Sequence, residues 1–140
     1  MNADPLKLAR FAGPFHAILR ITTALTFISH GSMKLLGFPQ MPGMPGQPPM
    51  PAPPLFSLFG VAGVLELVGG LLLLIGLFTR PVAFLLAGEM AVAFWMVHAQ
   101  GGIIPLVNMG ESAYLFCFIF LWLSAAGAGP WSLDNRSGQE

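Results

Sequence analysis

The chain has 140 residues, 55% of them hydrophobic and only 9% charged, with a mean hydropathy of +0.74 and a net charge of zero. Soluble domains carry roughly 25% charged residues, so this composition describes an integral membrane protein and leaves no length for a separate soluble domain. Zero net charge argues against nucleic acid as a partner, because a basic patch is needed to hold phosphates. The single cysteine, Cys117, excludes an internal disulfide and reads as a small core residue.

Residues 1–13 carry Lys7 and Arg10 and form an amphipathic lead-in. No small-x-small cleavage pattern follows a clean apolar core, so the first helix is expected to be retained. That helix is expected over residues 14–36. Within it Arg20, Thr23, Phe27, His30 and Lys34 recur at spacings of three and four, which places them in one stripe. Lipid does not tolerate such a stripe, so it should face the other helices, while Ile18, Leu25 and Ile28 cover other sectors. Arg20 and Lys34 sit near opposite ends and could instead snorkel to headgroups. Residues 37–54 are uncharged and dominated by proline, with Met41, Met44 and Met50. Thioethers suit Cu(I), but irregular spacing without Cys or His reads as a stiff extended loop covering the bundle mouth.

The second and third helices, expected over residues 55–78 and 81–98, each contain a deeply placed acid, Glu66 and Glu89. A carboxylate at the bilayer centre costs roughly 2.5–3.5 kcal/mol on insertion scales, so it normally faces a bundle interior, a partner or a ligand. Gly63, Glu66 and Gly70 share one face, a groove of small residues that admits close approach. Gly76, Thr79, Arg80 and Pro81 mark the hairpin between these helices. Residues 99–110 form an uncharged loop containing Asn108, and a fourth helix is expected over residues 111–126, with Glu111 in its first turn complementing the helix dipole. Trp131 suits an interfacial anchor in a polar tail. Lys7, Arg10, Arg80 and Arg136 fall on one side against Lys34 on the other, which by the positive-inside rule places both termini in the cytoplasm.

The expected fold is therefore all-α, a polytopic membrane four-helix bundle. His30, Lys34, His98, Asn108 and Glu111 should converge at its outer half, with Glu66 and Glu89 deeper. Arg20, His30, Lys34, Glu66, Glu89, His98 and Glu111 are the candidates for binding a ligand or handling protons; no catalytic residue and no metal site is expected.

Four elements occur in a telling order: H-G-x-x-K (His30, Gly31, Lys34), E-x-x-G-G (Glu66, Gly69, Gly70), the hairpin from Gly76 to Pro81, and G-E-M from Gly88 to Met90. In this arrangement, running from Arg20 to Asp134, the chain resembles the DoxX family of small four-helix membrane proteins, from which the proline-methionine loop is a departure. The resemblance implies a bacterial-type cytoplasmic membrane protein associated with redox functions, including a subunit similar to those of thiosulfate:quinone oxidoreductase. The residues themselves show no nucleotide fingerprint, Cys-rich cluster or haem-attachment motif. Three functions stay open. The first is an accessory or structural subunit of a larger redox or respiratory-type membrane complex, docked to a membrane-protein partner or a second copy. The second is a quinone-interacting subunit that uses His30, Lys34, Glu66 and Glu89, and the third is a small-solute or ion carrier. The cofactor is undetermined: quinone is a candidate, and haem between His30 and His98 is disfavoured because interfacial histidines are more often structural.

Overall fold

In a computed structural model, residues 7–39 and 51–137 are described; Met41, Met44 and Met50, considered above as soft ligands, lie outside them. The described residues form helices without strands. A 3-10 turn, Leu8–Phe11, leads into α1 (Ala12–Leu36), followed by α2 (Leu58–Ile75), α3 (Thr79–Ala93), α4 (Glu111–Ala126) and the short α5 (Leu133–Ser137). Leu8–Leu36, Leu58–Ile75 and Thr79–Gly101 are each long and apolar enough to cross a membrane. The 16 residues of α4 rise about 24 Å, somewhat less than a hydrocarbon core of about 30 Å.

Local chemistry sets where the helices begin and end. The apolar pattern suggests that α2 starts at residue 55, but Ser57 takes an extended conformation and its hydroxyl accepts the Gly60 N–H at 3.1 Å, capping a helix that begins at Leu58. It ends where Gly76 adopts φ 65°, a left-handed conformation natural to glycine. Helix α3 starts at Thr79, two residues before the expected start, because Pro81 sits in the first turn, where its missing N–H is no loss. The segment expected to carry α3 to residue 98 is α-helical only to Ala93; Phe94–His98 widens into a π turn and Ala99–Gly101 tightens into a 3-10 turn, which resets the direction of His98.

Helix α1 packs mainly on α2, and α3 on α4, whereas α2 and α3 meet more sparsely. The α1–α2 contact is made through glycine. A Cβ on Gly31 would lie 2.5 Å from the Leu67 backbone nitrogen and 2.9 Å from the Gly63 carbonyl oxygen, so the backbones touch. Such approaches, which maximise dispersion contact, hold helices together where lipid supplies no hydrophobic drive. Across the bundle Phe27 meets Phe120 and Phe116 edge-on at 4.8 and 5.4 Å, closing the core with Leu73, Leu86 and Leu123. Ile18, Leu25, Phe84, Leu115 and Phe118 stay exposed and supply the lipid-facing surface.

The segment after α4 is folded into the bundle, where the sequence suggested a polar tail. Arg20 is fully buried and donates to the carbonyl oxygens of Ala128, Pro130 and Trp131, the last at 2.7 Å. The Asp134 carboxylate accepts the N–H groups of Phe78 and Thr79, each at 2.8 Å, and so caps α3, while its own N–H donates to the Gly76 carbonyl at 2.9 Å. Arg80 donates to the carbonyls of Ser124 and Ala125 at the end of α4, where a cation complements the helix dipole. His16 accepts the Trp122 indole N–H on Nδ1, so Nε2 carries the hydrogen that reaches the Gly127 carbonyl at 2.8 Å. The α2–α3 hairpin, the start of α1 and the tail thus meet at one end of the bundle, and Lys34, Ser57 and the α3–α4 loop lie at the other.

Gly31→Ala is expected to destabilise the protein by about 1–3 kcal/mol through forced separation of α1 and α2. Gly88→Ala, whose added methyl meets nothing within 4 Å, should be neutral or stabilising by up to about 1 kcal/mol. Unfolding in detergent, followed by circular dichroism, compares the two. Asp134→Ala, read the same way, should lose about 1.5–3 kcal/mol because two N–H groups lose a charged acceptor.

Candidate functional site

The glycine contact between α1 and α2 also places the site. A Cβ on Gly63 would sit 3.1 Å from the Lys34 Cβ, so the lysine stem lies directly on α2 and its ammonium reaches one turn deeper. There Lys34 Nζ meets Glu66 Oε1 at 2.5 Å, with the side chains 24% and 3% exposed. Glu66 lies about 12 Å along α2 from Leu58, well inside the hydrocarbon region.

Beside this pair, between the outer ends of α1, α2 and α3, is a cleft of about 70 Å³ lined by Lys34, Glu66, Glu89, Phe59, Met90 and Met96. Glu89 lines the same cleft from α3. Both Glu89 oxygens and Glu66 Oε2 are buried, and none has a hydrogen-bond partner among the described residues. Two carboxyl groups therefore stand beside one ammonium, which is bonded to Glu66 alone. A buried carboxylate without a partner is expensive, so the site as it stands is short of one hydrogen-bonding cation or proton.

The other sequence candidates lie elsewhere. Arg20 is fourteen residues before Lys34, about 21 Å along α1, and belongs to the carbonyl cage of the tail. The His30 ring packs edge-on against Phe116 of α4 with centroids 6.1 Å apart. The His98 Nδ1 lies 3.2 Å from the Asn108 carbonyl oxygen and holds the α3–α4 loop. Glu111 is exposed in the first turn of α4, where its charge complements the dipole. Of the convergence expected of His30, Lys34, His98, Asn108 and Glu111, His98 and Asn108 meet, whereas Lys34 pairs with Glu66 and His30 faces α4. The two histidines considered for haem have different surroundings, one an aromatic ring and the other a loop carbonyl.

Sequence reasoning did not anticipate Phe59, Met90 and Met96 in the cleft, nor Asp134 as the cap of α3. For Asp134 a signal existed: a hairpin entering α3 exposes N–H groups that need an acceptor, and the tail contains one acid near an interfacial tryptophan. For the cleft residues there was none, since apolar side chains on these helices look alike whether they face lipid or a cavity.

Long apolar helices and a shorter fourth, packed around an ion pair deep between them, define a small polytopic helical membrane protein. The family model of DoxX matches residues 15–99, more than half of the chain, and the chain belongs to the DoxX family. A protein of Haemophilus influenzae (strain Rd), described as uncharacterized, is 43% identical over 133 residues, which cover 93% of this chain and 96% of that protein. No solved structure matches the chain.

Lys34→Met should destabilise the protein by about 3–5 kcal/mol, because it leaves Glu66 buried and unpaired, whereas the double variant Lys34→Met/Glu66→Leu should recover most of that loss. Thermal unfolding of the wild type and the two variants in one detergent makes the comparison.

Proposed function

We propose that this DoxX-family protein is an accessory subunit of a larger membrane assembly of the redox or respiratory type, held in a bacterial cytoplasmic membrane with both termini on the cytoplasmic side. The observation that carries the docking role is the α3–α4 loop. Ile103, Ile104, Leu106, Val107 and Met109 are between 59% and 82% exposed, all in a loop at the end of the bundle. A loop that merely reversed the chain at a membrane surface would turn polar groups to water. This one is also set in a single shape: Asn108 donates from Nδ2 to the Gly102 carbonyl at 2.7 Å and accepts the Gly110 N–H on Oδ1 at 2.8 Å, while the Val107 and Asn108 N–H groups bond to the Ile104 carbonyl. A contiguous apolar patch held rigid before contact loses little entropy on docking, which favours a protein partner.

The redox character of the assembly rests on the family resemblance, and the orientation on the basic residues Arg10, Arg80 and Arg136, which accompany the hairpin and tail. The quinone reading is favoured by one observation, the carboxyl groups in an apolar cleft. It is weakened by size, since about 70 Å³ is half of the roughly 150 Å³ that takes a benzene ring.

Native mass spectrometry of the tagged protein, extracted from its own membranes in mild detergent, tests the reading. The expected result is release from a larger assembly whose purified form reduces or oxidises a quinone, and loss of that assembly in Ile104→Asn/Leu106→Asn with an unchanged melting temperature. A discrete monomer in the extract, or an assembly indifferent to the loop variant, would overturn it.

A further inference from the structure

The docking loop leaves the cleft unexplained. Its unusual property is stoichiometric: three carboxyl oxygens, Glu66 Oε2 and both of Glu89, are buried without a donor among the described residues, while the neighbouring Lys34 is engaged with Glu66 Oε1 at 2.5 Å. The charges of Lys34, Glu66 and Glu89 sum to minus one when both acids are ionised. Glu66 is especially informative, since its side chain is only 3% exposed yet lines the cleft with its second oxygen unused. These oxygens are therefore left to a proton or to a donor brought in on a cation.

We infer that the cleft is a binding site for a primary ammonium head group carried on an apolar chain. An –NH₃⁺ group has three N–H donors and no acceptor, which matches three orphan acceptors one for one, and its single charge neutralises the excess. Its head is narrower than an aromatic ring and fits a space that a quinone ring overfills. The mouth suits the chain that follows: Leu58, Phe59, Val92, Met96 and Val97 are all about half exposed and apolar, facing the lipid side. Phe59 adds a ring face that attracts cations. A quaternary ammonium carries the same charge without N–H donors, so it cannot serve the three oxygens. The same primary ammonium chemistry comes from two sources, a free alkylamine or the head group of an aminophospholipid.

The full chain in phosphatidylcholine nanodiscs, titrated with n-hexylammonium and with N,N,N-trimethylhexylammonium, is the test. A saturable rise in melting temperature is expected with the primary amine and none with the quaternary one. Glu89→Gln, which leaves the Lys34–Glu66 pair intact, should weaken the primary amine by about tenfold or more, the loss of one charged hydrogen bond. Equal responses to the two amines in the wild-type protein, no response to either, or an undiminished response in a folded Glu89→Gln would overturn the inference. Mixed phosphatidylethanolamine and phosphatidylcholine vesicles then separate the sources. Selective retention of phosphatidylethanolamine in native mass spectra, displaced by hexylammonium, assigns the lipid head group, and amine binding without such retention assigns the free amine. Neither result depends on the assembly, which is read from a different surface.

Discussion

Lys34 and Glu66 meet because α1 and α2 touch backbone to backbone. At Gly31 there is no room for even a methyl group against Leu67 and Gly63, and only this proximity lets a lysine stem lie along the neighbouring helix and present its ammonium to an acid held deep in α2. Remove the contact and both charges face a medium that cannot solvate them. The ion pair is thus a consequence of small residues before it is a consequence of charge, and the α2–α3 cleft beside it exists because the corresponding seam lacks such intimate packing.

The opposite end is organised by a different means. There the protein uses charged side chains against backbone: Arg20 against three carbonyls, Asp134 against two N–H groups, Arg80 against the end of α4. Asp134 and Arg80 satisfy backbone groups that no helix can satisfy for itself at its termini, and Arg20 does the same for carbonyls of the segment that follows α4. The two ends divide the work, one fixing the structure by hydrogen bonds from charged side chains to backbone and the other keeping carboxyl oxygens open.

How much of this could be read from residues alone follows the same division. The all-helical membrane architecture was legible because hydropathy and length report it directly, and so was the burial of Glu66, whose glycine neighbours announce a packed face. The stripe on α1 was correctly directed inward through Arg20, Thr23 and Phe27, but its two ends serve separate places, because a helix of 25 residues spans the whole membrane and a shared face does not make a shared site. His98 could not be placed, since nothing in F-W-M-V-H signals a π turn. Asp134 was lost in a segment that composition marks as a tail. Its role depends on hydrogen bonds across more than fifty positions, which no local pattern encodes.

The cage around Arg20 has a consequence for how the molecule is made. Its acceptors all lie beyond residue 127, yet Arg20 itself enters the membrane with the first helix. During synthesis a guanidinium and the N–H groups at the start of α3 must wait, solvated by headgroups or by the insertion machinery, until the residues that follow α4 have been added. A nascent chain stopped before that point leaves the Arg20 guanidinium without these acceptors, so this end of the bundle closes only with the last residues made.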